Sequence, residues 1–383
     1  MYSFDFMPKS YDDRIMEGDY SKVSEISSEH IGKIEDGKIF LKYTTPQIEL
    51  GGINDPRENG GEFYRLDVTK KELYKKELFQ EGIHSLLATH TSGATLRFRT
   101  NASELALYAI MRNPMTEFHH FTDRGAFGLD LYVGSGSARV YCGGRMQMLT
   151  KSKKSDVMAD IVKLPGGYCE VLINMPLYSG INEILIGFPE DSELARPLER
   201  DIPPIVFYGS SITQGACASR PGIAYPNLVC RMLNAQCINQ GYSSGAHLEP
   251  IMAEYVASYH GVSAFVIDND GNGTAENHRL KHYNFYKTIR NANPDTPILL
   301  LTRPIYHTLC PDVDIERISI IKDTYERALS ENDKNVYFLS GYEFFPEKAI
   351  ADVYSVDMTH PNDIGMYYMA MAVYKKLREI LKI

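Results

Sequence analysis

Cysteine is scarce in this chain. Its six residues, Cys142, Cys169, Cys217, Cys230, Cys237 and Cys310, form no Cys-x-x-Cys pair, so the sequence suggests no zinc site. Several stand in apolar segments such as Leu228-Val229-Cys230, which reads as buried free thiols and favours a reducing compartment. Positive charge is also short. The net charge is −9, and no basic stripe is present to neutralise phosphates, which excludes a nucleic-acid partner. No cationic amphipathic helix is available for an anionic membrane surface. No apolar run approaches the roughly 18 residues of a membrane span. The N-terminus soon turns acidic and lacks the apolar core of a secretory signal. The expectation is a cytoplasmic protein with no membrane partner. Internal repeats and low-complexity tracts are absent.

Apolar residues are plentiful. They make up 44% of 383 residues, with 23% charged, which is enough to bury a sizeable core and suits two domains. The first half reads as β. Alternating segments such as Ala94-Thr95-Leu96-Arg97-Phe98-Arg99 and Gly128-Leu129-Asp130-Leu131-Tyr132-Val133 are separated by turn clusters such as Pro165-Gly166-Gly167. Many short strands so punctuated predict a sandwich or jelly roll. The second half alternates apolar runs (residues 205–208, 237–239, 264–268, 297–302 and 336–340) with helix-like stretches (224–233, 249–259, 278–293, 314–329 and 363–381). That pattern predicts a parallel sheet with helices on both faces. The expected division is a sandwich over 1–190, a surface linker over 189–204 rich in Pro, Glu and Arg, and an α/β domain over 203–383.

Four blocks in the second half carry chemistry. Gly209-Ser210-Ser211-Ile212-Thr213-Gln214-Gly215 follows an apolar strand, so a tight turn lifts a side chain above the sheet edge. A Walker-type loop is excluded because no Gly-Lys-Ser/Thr follows; taken alone, the block fits a nucleophile turn or a simple loop. Asn239-Gln240-Gly241-Tyr242-Ser243-Ser244-Gly245 follows the next strand. Its N–H groups suit an oxyanion, and equally a plain connection. Asp268-Asn269-Asp270-Gly271-Asn272-Gly273 superficially resembles a calcium loop, but Arg279 stands where the closing Glu belongs and a strand precedes it. An Asn at such a strand end offers its amide N–H to an oxyanion instead. In Asp357-Met358-Thr359-His360, a carboxylate three residues before a His reaches Nδ1 and leaves Nε2 for a serine. The helix that follows is expected to bury Ile364, Tyr367, Met371, Tyr374, Leu377 and Leu381.

The order Ser, Gly-containing loop, Asn, Asp-x-x-His resembles the SGNH (GDSL-type) hydrolases. The stretch from Pro204 to Gly215, with Ala218-Ser219-Arg220-Pro221-Gly222 behind it, is similar to a two-domain subgroup whose N-terminal β-sandwich carries a Gly-x-Asp-Leu-Tyr signature. Here that signature is Gly128-Leu129-Asp130-Leu131-Tyr132, accompanied by His90-Thr91-Ser92-Gly93 and Pro176-Leu177-Tyr178. Two positions depart from the family pattern. Ser210 replaces the usual Asp before the nucleophile, as it does in the subgroup, and Ser244 takes the place of the oxyanion Gly, with Gly245 next to it. The resemblance implies a flavodoxin-like α/β catalytic domain and a serine esterase needing neither metal nor organic cofactor. Ser211 would be the nucleophile, His360 the base and Asp357 its orienting carboxylate. The oxyanion donors would be Ser211, Ser244 or Gly245, and Asn272. An acetylated sugar, xylo-oligosaccharides first, is the expected substrate. Phe118, His120 and Arg220 are candidate substrate contacts. A lipid, aryl or secondary-metabolite ester, a silent carbohydrate-binding protein and an acyltransferase stand as alternatives. The oligomeric state is open.

Overall fold

The computed structural model describes residues 12–78, 81–113, 119–143, 157–305, 311–346 and 352–383. Among them, the strands form three sheets. Two are antiparallel and belong to the N-terminal half. One runs through Ser21–Lys22, Glu193–Ala195, Thr95–Thr100, Cys169–Asn174, Asp130–Val133 and Val140–Gly143, with Glu49–Gly51 also pairing Thr95–Thr100. The other runs through Ile31–Glu35, Lys38–Lys42, Gly180–Pro189, Glu104–Arg112 and Val157–Lys163. Leu96, Phe98, Val171 and Ile173 of one sheet and Leu105, Leu107, Ile184 and Ile186 of the other share a single buried cluster. This is the two-layer packing that alternating strands require.

The third sheet is parallel. Its order is Cys237–Gly241, Ile205–Gly209, Ala264–Asp268, Ile298–Leu301, Val336–Leu339, which is the doubly wound order 2-1-3-4-5. Central strands of such a sheet are covered on both faces and read as continuous apolar runs. Ile205–Gly209 is buried throughout. Ile205 and Phe207 point into the cluster shared with the sandwich, while Val206 and Tyr208 point into a second cluster beneath the helices Pro250–Ala257 and Ala275–Ala292. No helix among the described residues is long and apolar enough to cross a membrane.

Two expectations change. Within the stretch read as a surface linker, Glu193–Ala195 is a strand pairing Leu194 with Thr100. Leu194 is fully buried, so it adds to the sandwich core. In the helix Asp363–Leu381 the buried stripe is Met366, Met369, Ala370, Val373, Leu377 and Ile380, whereas Ile364 and Tyr367 are exposed. That helix is apolar on more than one face, so periodicity alone allows either stripe. Docking on the helix Tyr225–Met232 selects the narrower Met/Ala face. Of the cysteines, Cys169, Cys217, Cys230 and Cys237 are buried and free, and Cys142 is half-buried; Cys310 lies outside the described residues.

Candidate active site

The turn that carries the candidate nucleophile begins at Gly209. A Cβ there would sit 2.1 Å from Thr213 Oγ1 and 2.3 Å from Asp268 O, so only glycine lets the strand turn this tightly. Ser210 is the N-cap of the short helix Ser211–Gln214, its hydroxyl accepting from Ile212 N–H at 3.2 Å. Ser211 is the first helical residue, and its N–H has no acceptor among the described residues. The two adjacent serines thus hold different posts.

The Asp357–His360 loop is organised by one carboxylate. Asp357 Oδ1 accepts from Thr359 N–H at 3.0 Å and His360 N–H at 2.7 Å, closing the turn. Its Oδ2 accepts from His360 Nδ1–H at 2.7 Å. This leaves Nε2 as an acceptor, 2.9 Å from Ser211 Oγ. Partial burial works to raise the Asp357 pKa, but hydrogen bonds from the His360 backbone and ring outweigh it, and the carboxyl lies below its ordinary value. The loop is pinned from behind by Ser355 Oγ–H and Val356 N–H, both donating to His360 O at 3.0 Å. Asn362 caps the following helix, accepting from Ile364 N–H at 3.0 Å and Gly365 N–H at 3.1 Å.

Around the candidate oxyanion donors, the loop after Cys237–Gly241 holds Ser244, Ala246 and Leu248 at φ of 54°, 59° and 59°, left-handed positions that are strained without glycine. Gly245 N–H is committed to Tyr242 O at 3.0 Å. Ser244 N–H has no acceptor among the described residues. Asn272 Nδ2 donates to Tyr242 O at 3.1 Å and to Gly245 O. Its amide therefore clamps this loop, and turning an N–H onto an oxyanion would exchange one of those bonds.

Other anticipated residues fall in varied places. His120 stands beside His360, ring centroids 5.5 Å apart, and also meets Phe121 at 4.6 Å. Arg220 has Nε 3.5 Å from Asp130 Oδ2 and its guanidinium over the Tyr141 ring at 4.2 Å. Phe118 lies outside the described residues. The carboxylates of the calcium-like stretch are engaged by protein donors: Asp268 by Thr213 and Tyr225, Asp270 by Arg303 N–H and Arg317.

The sandwich motifs meet the helix Ser211–Gln214 directly. Gln214 Nε2 donates to His90 Nδ1 at 3.1 Å and Leu177 O at 3.0 Å, and Ser92 Oγ–H donates to Gln214 O at 2.7 Å. Burial, with Arg65 nearby, lowers the His90 pKa to about 3, so the ring is neutral and Nδ1 accepts. Asp130 of the Gly-x-Asp-Leu-Tyr signature accepts from Asn174 Nδ2 and Gly222 N–H, each at 2.8 Å. The helix Asp123–Phe127 packs so closely that a Cβ on Gly125 would lie 2.0 Å from Ala218 O. Arg65 was not anticipated. It is fully buried and donates to Asn239 O at 2.9 Å and Gly241 O at 2.7 Å at the base of the loop that carries Ser244. No local pattern marks it, because its partners are carbonyls far along the chain.

With this geometry in view, residues 203–378 match the GDSL-like lipase/acylhydrolase family, and residues 40–194 match the N-terminal domain of SGNH-hydrolase-type esterases. The chain belongs to the SGNH hydrolases. No curated protein matches this SGNH hydrolase. It is similar to a GDSL-like lipase from Bacteroides ovatus, with 25% identity, 90% of this chain and 98% of that chain covered, and a TM-score of 0.77. A salicylyl-acyltransferase from a tetracycline biosynthetic pathway shares the fold, with 19% identity, coverage of 90% and 98%, and a TM-score of 0.71. So does an acetyl xylan esterase from the rumen bacterium Butyrivibrio proteoclasticus, with 13% identity, coverage of 95% and 99%, and a TM-score of 0.52. The family places this SGNH hydrolase among enzymes acting on acyl esters.

Proposed function

We propose that this SGNH hydrolase is a serine esterase removing acetyl groups from oligosaccharides, xylo-oligosaccharides first. The observation that carries the reading is the continuous chain from Ser211 Oγ through His360 to Asp357, at 2.9 and 2.7 Å. Ser211 Oγ attacks the ester carbonyl while His360 Nε2 takes its proton. Asp357 holds the imidazole in the required tautomer and stabilises the imidazolium. The Ser211 and Ser244 N–H groups, joined by one N–H of Asn272, receive the oxyanion. His360 then returns the proton to the leaving sugar hydroxyl, and water hydrolyses the acyl-enzyme by the same relay. The sugar is supported by the fold likeness to a xylan-directed esterase and by the His120–Phe121 wall beside His360. In this reading the sandwich and the catalytic part, which begins near residue 203, act jointly on the substrate.

The test is acetate release from a panel of acetylated xylo-oligosaccharides, gluco-oligosaccharides and aryl or longer-chain esters. Preference for acetylated sugars supports the proposal. A preference for aryl or long acyl groups overturns its substrate half. The likeness to a salicylyl-acyltransferase favours a second reading, transfer of the acyl group to an acceptor other than water. Adding a sugar or phenolic acceptor distinguishes them: esterification of the acceptor at the expense of free acid indicates transfer.

A further inference from the structure

Three side chains from distant parts of the chain converge beside Ser211. One ligand atom from each of His120, Cys217 and His360 lies within 4.8 Å of the other two. His120 comes from the turn before the helix Asp123–Phe127. Cys217 lies just past Gly215, the C-cap of the nucleophile helix, and holds a left-handed φ of 66°. His360 ends the Asp-x-x-His loop. Among the described residues, no other three His, Cys, Asp or Glu groups approach each other in this way.

Two imidazoles and a thiol form the donor set of a three-ligand zinc site with an open fourth position. Bond lengths of about 2.0–2.3 Å set ligand atoms roughly 3.3–3.8 Å apart around a tetrahedral ion, so inward movement of about an ångström closes the present spread. The surroundings suit an ion as well. A metal-bound histidine ordinarily donates its other ring N–H to a carboxylate, and His360 Nδ1–H already donates to Asp357 Oδ2 at 2.7 Å. That bond leaves Nε2, now facing Ser211 Oγ at 2.9 Å, as the lone pair free to take an ion. The two imidazoles are half-buried and Cys217 is buried, so the ion enters past the rings and meets the sulfur at the base. A thiol donor selects thiophilic ions over Mg²⁺ or Ca²⁺.

We propose that His120, Cys217 and His360 bind a thiophilic divalent ion, Zn²⁺ first, and that its occupancy switches the esterase off. The inhibition half rests on the proposed role of His360; the binding half does not. The balance is simple. The Nε2 lone pair that would accept the Ser211 proton forms a bond to zinc instead, so Ser211 keeps its proton and stays a poor nucleophile. Cys217 binds as thiolate and releases its proton to solvent. Nothing is oxidised or reduced, and removing the ion restores the free base.

The experiment uses the full chain, stripped with EDTA and desalted. Titration with Co²⁺ alone is expected to give a thiolate-to-cobalt charge-transfer band. Cys217→Ser removes that band, His120→Gln weakens it, and added Zn²⁺ displaces the cobalt. In parallel, hydrolysis of a chromogenic acetate by the stripped enzyme is inhibited by Zn²⁺ and restored by EDTA. Losing an outer-shell partner costs roughly 10–100-fold in metal affinity. Losing a direct ligand costs no less, so Cys217→Ser keeps its metal-free activity but requires at least about tenfold more Zn²⁺ for half-inhibition. Cys217→Ala is the second variant if the serine protein fails to fold by circular dichroism. Absence of the cobalt band in the wild type overturns the site, as does a Zn²⁺ half-inhibition unchanged in both Cys217 variants. A cobalt band with no effect of Zn²⁺ on hydrolysis overturns the switch. If the stripped protein hydrolyses no ester, the esterase reading fails and the cobalt titration still decides the site.

Discussion

Ser243 N–H donates to Gln214 Oε1 at 2.9 Å. The bond joins the loop that carries Ser244 to the helix that carries Ser211, while the other end of the same amide holds His90 and Leu177 of the sandwich. One buried side chain thus ties together three parts of the fold. Gln214→Ala would leave the Ser243 N–H, the Leu177 carbonyl and His90 Nδ1 without this partner. Each abandoned buried group costs roughly 1–3 kcal/mol. The variant is expected to unfold at clearly lower denaturant and to lose kcat, because Ser244 is no longer held in place. Unchanged stability in urea would show that the amide is not the tie described.

Ser211→Ala is expected to abolish ester hydrolysis, by roughly 10⁴-fold or more, with the fold intact. Ser210→Ala removes the helix cap and costs about 0.5–2 kcal/mol of stability, while the folded enzyme still turns over. The two variants exchange outcomes if the nucleophile is Ser210. Active-site titration with a fluorophosphonate, followed by mapping of the labelled residue, gives an independent check.

Asn272→Ala separates two roles. If one N–H swings to the oxyanion, kcat falls by roughly 10²–10³-fold with little change in KM. If the amide serves only Tyr242 O and Gly245 O, the variant loses stability and the folded fraction turns over normally. Kinetics normalised to folded protein decide the matter, and the first result is expected.

Asp268 governs part of the pH dependence of stability. Burial raises its carboxyl to about 7, against the opposing hydrogen bonds from Thr213 and Tyr225. The folded pKa is above the unfolded one, near 3.9. Folding therefore favours the protonated form, and this contribution is complete below about pH 4 and lost as pH rises through 7. Asp268→Asn, which mimics the neutral form, is expected to flatten that decline, so its stability advantage over the wild type grows from pH 5 to 8. Parallel stability curves for the two proteins across this range would rule out the assignment.

Much of the candidate site is legible along the chain, because its parts are local. Gly209-Ser210-Ser211 is a strand end, a cap and a first helical residue, each set by neighbours a few positions away. Asp357 and His360 sit three residues apart, so the carboxylate and ring meet within one turn. The alternation of strands and helices likewise determines a doubly wound sheet, since only helices on both faces cover runs such as Ile205-Val206-Phe207-Tyr208.

What the chain alone left open are choices between equivalent surfaces and contacts between distant residues. Two stripes of the helix Asp363–Leu381 are apolar, and docking on Tyr225–Met232 determined which is buried. The ion pair of Arg220 with Asp130 joins residues 90 positions apart. Arg65, Gln214 and Cys217 acquire their positions from partners on other segments, and no spacing rule encodes such pairings. The sequence by itself pointed to the hydrolase family and the parallel sheet and singled out Ser211, His360 and Asp357 as candidates, because these readings depend on short-range patterns. Only the tertiary structure decided which N–H groups around the Ser244 loop remain open, and that His120 and Cys217 stand beside His360, because hydrogen-bond competition and packing across the sandwich–sheet boundary are properties of the folded chain.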